Sequence, residues 1–555
     1  MIRIFLAFVL LFACPQFARA QGVVSSADPR ASAAGQEILR MGGNATDAAM
    51  AMMLALTVVE PQSSGIGGGG FLLHHDGRTG LIDTIDGRET APASASPQLF
   101  IGADGKPLPF AEAFPGGRSV GVPGNVALLA KAHGKWGKLP WADLFAPAIR
   151  LARDGFVVNA VMARRLQTVA PLWKDFPEAR ALYWIEGKPA TEGATIRNPK
   201  LAAFLQRLAA EGPEAFYTGS NAEAISAAVG AAARNATGMT PADIAAYRAK
   251  ERPAVCSHYR VYTLCGMGPP SSGATTVFQI LGMLERFDLA KLGKDNPLSW
   301  HLIAQAMRLA YADREIYGAD RDFVDVPVAG LLDPAYMRRR SALISMIRAP
   351  EKYEAGTPPG ARPRTPAVQA EVPGTTHFVA VDGAGSIVSM TSTVEGPFGS
   401  QIAVNGYMLN NELTDFTFAP EKDGAPVANR VEPGKRPLSS MAPTIVYDAR
   451  GKAVFTVGAA GGKTIIMQVA KALIAHLDWG LSAQDSIELG LVYFNADGLA
   501  LEQGSSAEAL KLPLESLGHH VSVGTWALKA NAAELTTTGW VGAADPRSPG
   551  VALAQ

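Results

Sequence analysis

Apolar and polar positions divide the chain into three regimes. Residues 30–60 read as helix: ASAAGQEILRMGGNATDAAMAMMLALTVVE is rich in Ala, Met and Leu. Gly42-Gly43 breaks it, and Asn44 and Thr46 are candidate caps. PQSSGIGGGGFLLHHDGRTGLIDTIDGRETAP then reads as a glycine loop followed by strands that turn at Asp76-Gly77. Residues 120–350 are mostly amphipathic helix, with WHLIAQAMRLAYADREIYG a clear example. The stretch 354–374, EAGTPPGARPRTPAVQAEVPG, is Pro/Gly/Ala-rich and predicts an exposed linker. Strands are predicted beyond it at 375–393, 402–409 and 443–458, then an apolar helix at 464–478. Helices, a linker, then strands and helices predict layered sheets flanked by helices, without internal repeats.

The first apolar run has a different meaning. MIRIFLAFVLLFACPQFARAQGV has a basic start at Arg3, an apolar run from Ile4 to Ala13 and an A-x-A ending at Ala18-Arg19-Ala20. This predicts a secretory signal over 1–20 and a secreted or periplasmic product. A lipoprotein reading through Cys14 is disfavoured by the bulky Phe12. No later stretch has the ~18 apolar residues of a membrane span, so no membrane anchor is expected.

Export gives meaning to the three cysteines. Cys14 leaves with the signal, and Cys256 and Cys265, in VCSHYRVYTLC, are expected to form a disulfide. No C-x-x-C or H-E-x-x-H spacing suggests a metal. The 50 basic and 50 acidic residues give a formal net charge of +0 and no basic run, so nucleic acid is not an expected partner.

Candidate chemistry lies where the linker ends, in GTTHFVAVDGAGSIVSMTST, residues 374–393. Thr375 and His377 share a strand face. A turn at Asp382–Gly385 predicts a hairpin, and pairing those two residues sets Thr375 opposite Ser392 and diagonal to Thr393. Such hydroxyl clusters usually only pair strands. A threonine hydroxyl also needs a base. Cleavage between Gly374 and Thr375 would supply one, because the new α-amine, with a reference pKa near 8, could activate its own hydroxyl. A second stretch, AVFTVGAAGGKTIIMQVAKAL, reads as strand, glycine loop and helix. Val457 replaces the first glycine of a P-loop, so nucleotide binding is rejected, but the loop suits a developing oxyanion.

From about residue 22 onward the chain resembles the γ-glutamyltransferases (γ-glutamyltranspeptidases, glutathione hydrolases). The resemblance rests on GGNATDAAMA, VEPQSSGIGGGGFLL, DGRETAP, SVGVPGNVALLAKAHGKWGKLPW, PPSSGA, TTHFVAVD, LNNELTDF, KRPLSSMAPT and GAAGGKT, which occur in the family's order. It implies an N-terminal-nucleophile hydrolase of α+β class with a four-layer αββα sandwich. It also implies a precursor cut before Thr375 into a large subunit, 21–374, and a small subunit, 375–555. Thr375 would be the nucleophile, Thr393 its hydroxyl partner, and the Gly461 and Gly462 N–H groups the oxyanion hole. Arg88, Ser439 and Ser440 would grip the substrate α-carboxylate, and Glu412 and Asp415 its α-ammonium. The donor would be a γ-glutamyl compound and the acceptor water, an amino acid or a dipeptide, with no metal or cofactor.

Three features depart from the family pattern. Glu395 stands where many members carry Asn, adding a third acid near the ammonium. The oxyanion stretch reads GAAGGK, placing Lys463 beside it. The loop Ala419–Lys435 has no tyrosine and reads as a short lid over an open site. These departures keep a cephalosporin or glutaryl acylase open as an alternative, and beyond it an inactive, unprocessed binding protein. SSGIGGGG is expected to serve close backbone packing rather than substrate contact.

Overall fold

The computed structural model describes residues 22–366, 374–495 and 498–555. The predicted signal and residues 367–373 of the predicted linker lie outside the described residues. Thirteen strands form two large sheets: β1 (Val23–Ser26), β2 (Gly69–His75), β3 (Ile82–Gly87), β4 (Lys250–Arg252), β5 (Val255–Tyr259), β6 (Tyr262–Gly266), β7 (Thr375–Val381), β8 (Ile387–Thr393), β9 (Thr444–Tyr447), β10 (Ala453–Ala460), β11 (Lys529–Thr536), β12 (Gly539–Ala544) and β13 (Val551–Ala554). The first sheet has the order β13-β1-β7-β8-β2-β3-β4 and the second β12-β11-β10-β9-β6-β5. Within both sheets neighbouring strands run antiparallel.

Strands β1, β7 and β8 face β10, β11 and β12 across the sandwich. The outer face of the first sheet is covered by α1 (Pro29–Arg40), α2 (Ala45–Val59) and α3 (Asn125–Trp136). Helix α4 (Ala160–Val169) belongs to the helical lobe beyond them. The second sheet is covered by α5 (Gly273–Leu284) and α7 (Thr464–Leu477), with α6 (Pro297–Tyr317) stacked on α5. This is the expected αββα layering.

Two cores explain why β7 and β8 are apolar on both faces. Phe378, Ala380, Val388 and Met390 pack outward against α2 and its neighbours. Val379, Val381 and Ile387 pack inward with Phe455, Val457 and Ala459 of β10. A strand covered on both sides needs no polar face.

Four local expectations are corrected. Asn44 alone caps α2: its side chain accepts from the Asp47 N–H and the Asp47 carboxylate accepts in return, whereas Thr46 lies inside the helix. Helix α6 has no broad solvated face. Its buried polar residues are satisfied internally, Gln305 bonding the Ser345 carbonyl at 2.8 Å and Asp313 accepting from the Tyr336 hydroxyl at 2.8 Å. The predicted strand 402–409 is a tight hairpin, Ala403–Val404 against Tyr407–Met408, turning at Asn405-Gly406 with φ of 48° and 88°.

The fourth correction is the register of the β7–β8 hairpin. Asp382 pairs with Ser386 rather than Gly385, through a three-residue loop in which Gly385 takes φ 83°. The extra loop residue slides the register by one, so Thr375 lies directly opposite Thr393 instead of Ser392. The glycine run behaves as expected: a Cβ on Gly67 would fall 2.1 Å from the Met408 carbonyl oxygen, and one on Gly68 1.9 Å from that of Thr393. Cys256 and Cys265 face each other across β5 and β6 and form the expected disulfide.

Candidate active site

Register places the hydroxyls. Thr375 is the first residue of β7 and is 4% exposed, at the bottom of a cleft of about 300 Å³ that Gly374 and Gly461 also line. Its Oγ1 donates to Thr393 Oγ1 at 3.2 Å. Thr393 Oγ1 donates to the Gly374 carbonyl oxygen at 3.3 Å and accepts the Glu395 N–H at 2.7 Å. The relay therefore connects the candidate nucleophile with the carbonyl of the bond it would attack. Gly374 fits only as glycine, because a Cβ there would lie 2.1 Å from the Glu395 carbonyl oxygen.

His377 shares the strand face with Thr375 but serves the core. Its Nδ1 meets Thr391 Oγ1 at 2.8 Å, and its ring packs on Gly458, where a Cβ would sit 2.3 Å from it. Burial pushes its pKa down to about 3, so it stays neutral at physiological pH.

On the other side of Thr393 lies a buried charge cluster. Arg88 directly follows β3 and is 1% exposed. Its backbone is pinned: its N–H donates to Asp86, and its carbonyl accepts from the Tyr247 hydroxyl at 2.7 Å and from Arg436 at 2.9 Å. Its guanidinium pairs with Glu412 and Asp415, and donates to the carbonyls of Pro437 at 3.1 Å and Leu438 at 2.8 Å. Those bonds occupy four of the five guanidinium N–H groups. A bidentate grip on a substrate carboxylate therefore requires the acids to yield an N–H.

Glu412 and Asp415 stand on the 3-10 turn Glu412–Asp415, and their oxygens and one from Glu395 all lie within 4.8 Å of one another. Three carboxylates so close could hold a cation. Arg88 already pairs with two of them, which opposes a divalent ion there. Glu395 is held at φ 75°, a conformation that disfavours side chains other than Asn, Asp or none. Burial raises the Glu412 pKa, while Arg88 opposes the shift.

The serines have different partners. Ser440 Oγ accepts from Arg314 at 2.7 Å, and Ser439 Oγ accepts the Met441 N–H at 3.2 Å. Their loop is bound to the PPSSGA stretch through the Ser272 N–H and hydroxyl, which both reach the Ser439 carbonyl. Gly461 and Gly462 form the expected loop between β10 and α7, with φ of 133° and 61°. Lys463 points its charge to Glu315 at 3.1 Å, so its cation is balanced. In the candidate lid, Asn429 ties the loop down by donating to the Asp415 carbonyl at 2.7 Å.

Sequence reasoning missed several participants. Glu89 is fully buried beside Glu412; burial and that neighbour's charge push its pKa well up. Its place next to Arg88 in DGRE was the available signal. Arg314 lies within a helix that reads as ordinary, and no spacing marked it. Asn411, in NNELTDF, accepts the Gly396 N–H at 2.7 Å and fixes the turn after Glu395.

Residues 31–555 match the model of the family described as gamma-glutamyltranspeptidase. The chain is 37% identical over 515 residues to a glutathione hydrolase proenzyme of Bacillus subtilis (strain 168), covering 90% of this chain and 85% of the relative. It is 35% identical over 513 residues to an acylase ACY 1 proenzyme of Pseudomonas sp. (strain SE83), covering 90% and 87%. A crystal structure of cephalosporin acylase from Bacillus halodurans superposes with a TM-score of 0.86 at 26% identity, over 96% of each chain. The chain belongs to the γ-glutamyltranspeptidase family and has its N-terminal-nucleophile hydrolase fold.

Proposed function

We propose that this protein is an exported precursor that cuts itself between Gly374 and Thr375 and then hydrolyses or transfers γ-glutamyl groups. The observation that carries the reading is the Thr375–Thr393–Gly374 relay, which opens on one side to a cleft and adjoins the Arg88 cluster on the other. The word proenzyme in the relatives' names accords with it.

In the precursor, Thr375 Oγ attacks the Gly374 carbonyl carbon while Thr393 polarises the oxygen. The peptide C–N bond breaks as its nitrogen takes up the proton lost by the hydroxyl and becomes the Thr375 α-amine, and water hydrolyses the resulting ester to the Gly374 carboxylate and the free Thr375 hydroxyl. In the mature enzyme that amine takes the Thr375 hydroxyl proton as the oxygen attacks a γ-glutamyl amide. The Gly461 and Gly462 N–H groups are suited to the oxyanion. The leaving amine departs with the proton, and water or an acceptor amine releases the γ-glutamyl ester. Arg88, Ser439 and Ser440 would bind the donor's α-carboxylate, and Glu395, Glu412 and Asp415 its α-ammonium. No step draws on a metal or cofactor.

A second reading is a glutaryl or cephalosporin amide acylase, favoured by the acylase relative and the structural neighbour. A glutaryl group lacks the α-ammonium that Glu395, Glu412 and Asp415 would hold, and that acid-rich surrounding favours the γ-glutamyl donor.

A denaturing gel with N-terminal sequencing of the smaller band tests the cleavage. The expected fragment begins Thr-Thr-His and is absent in Thr375→Ala. An uncut wild-type chain in fresh soluble protein overturns the reading. Turnover of matched γ-glutamyl and glutaryl anilides then separates the two substrate classes.

A further inference from the structure

An oxyanion hole works only if its N–H groups are fixed before the charge appears. Gly461 and Gly462, at φ of 133° and 61°, have no side chains of their own to fix them, so neighbours must hold the loop. On its upstream side the hold comes from α7. Gln468 donates to the Ala460 carbonyl at 2.7 Å, and the Thr464 hydroxyl to that of Gly461 at 2.8 Å. On its downstream side the hold comes from another helix. The Lys463 carbonyl accepts from the Tyr311 hydroxyl, and the Lys463 ammonium pairs with Glu315 at 3.1 Å.

Tyr311, Arg314 and Glu315 stand at i, i+3 and i+4 on α6 and share one face. Arg314 uses that face to hold a second loop. It donates to Ser440 Oγ at 2.7 Å and to Ser272 Oγ at 2.8 Å, and the Ser272 hydroxyl bonds the Ser439 carbonyl at 2.8 Å. Glu315 joins the two holds, because the same oxygen that meets Lys463 meets Arg314 at 3.2 Å. The Arg314 side chain is sealed from solvent, whereas those of Glu315 and Lys463 are each 19% exposed, so the pair can be altered without opening the core. One helix from before Gly374 thus holds two loops from after it, the serine pair and the glycine pair.

We propose that Lys463 and Glu315 are positioning residues: their ion pair fixes the oxyanion loop, and Glu315, through Arg314, fixes that loop relative to Ser439 and Ser440. The two loops would grip one donor at its γ-carbonyl and its α-carboxylate, so the pair sets the reach between those groups. This inference rests on the γ-glutamyl reading and gives a task to the lysine that departs from the family pattern.

The test reads kinetics on fully processed protein with a γ-glutamyl anilide. Lys463→Met is expected to lose about tenfold in kcat with KM changed less than about twofold, because a displaced N–H costs the transition state more than the ground state. Glu315→Gln should lose a similar factor, the double variant little more than either alone, and Lys463→Arg should keep most of the rate. A boronic acid in place of the γ-amide takes up the Thr375 oxygen, the hydroxyl proton passing to the α-amine, and becomes a tetrahedral anion. Its Ki should rise about tenfold in Lys463→Met. A Glu315→Gln enzyme as fast as wild type would show that Lys463 does not act through the pair, and overturns the proposal. Multiplying losses in the double variant, or an unchanged boronate Ki, also overturn it. These results leave the γ-glutamyl reading intact; failure of processed wild type to turn over the anilide overturns both.

Discussion

Replacing Arg88 with methionine removes the cation that both Glu412 and Asp415 pair with, inside a site that is 1% exposed at Arg88. The substitution keeps most of the volume and abolishes four donated hydrogen bonds, two to carboxylates and two to the Pro437 and Leu438 carbonyls. Breaking a buried pair from one side costs about 3–5 kcal/mol, because the stranded charges remain desolvated. The acids have an escape in protonation. Glu89 and Glu412 already have raised pKa values in the folded state. Without Arg88, which now lowers both, they rise further.

A carboxyl whose folded pKa is raised binds more protons folded than unfolded, so its contribution to stability falls as pH rises from its unfolded pKa through its folded one. The deficit of Arg88→Met relative to wild type should therefore be largest near pH 8 and shrink toward pH 5. Thermal melts in the uncut Thr375→Ala background would measure it without the complication of two fragments. Arg88→Lys keeps the charge but offers three donors in place of the planar fork, and should lose about 10–100-fold in kcat/KM after processing. A deficit independent of pH, or an Arg88→Lys enzyme with wild-type kinetics, would refute the account of this cluster.

Four further outcomes are expected. Gly374→Ala should slow self-cleavage by at least tenfold, and Thr393→Val by about 10–100-fold through loss of the bonds to Thr375 and the Gly374 carbonyl, both read as band intensities over time. His74, His377 and His519 have pKa values lowered by burial to about 4, 3 and 3. They stay neutral while the unfolded chain protonates, so stability should fall as pH drops below about 6.5, by up to about 1.4 kcal/mol per unit for each; in urea titrations, a flat response between pH 6.5 and 5 would contradict this. Cys256→Ser with Cys265→Ser removes a crosslink of sequence separation 9 and should cost about 2–3 kcal/mol by chain entropy; unchanged unfolding midpoints would count against it.

Much of this architecture was legible in the sequence, because β7, β8 and β10 are apolar where both faces are covered and the breaks fall at Gly and Pro. The register of the hairpin was not, since a two-residue and a three-residue loop fit DGAGS equally well and only the φ of Gly385 decides. The chemical residues of the site were legible only jointly. Arg88, Glu412 and Ser439 each resemble a surface residue alone, and they become a site through long-range pairing that no local pattern encodes. Arg314 was hidden in α6 because helical periodicity reports burial on one face, whereas this helix is enclosed. The cations lining the cleft above Thr375 were equally hidden: Arg164 lies hundreds of residues before Lys529 and Arg547.

The strand order gives the cut a thermodynamic direction. In the first sheet β1 lies between β7 and β13, so a strand from before Gly374 is held on both edges by strands from after it, and β2 pairs with β8. In the second sheet β6 pairs with β9 across the same division. The two products would be halves of shared sheets, neither with a complete core. While the backbone is intact these pairings form within one molecule, at a high effective concentration; once it is cut, re-forming them becomes a bimolecular event diluted to the fragments' own concentration. The uncut chain is thus its own assembly template. The mature pair should persist mainly because it comes apart slowly, with a recovery from denaturant that rises with protein concentration where that of uncut Thr375→Ala does not.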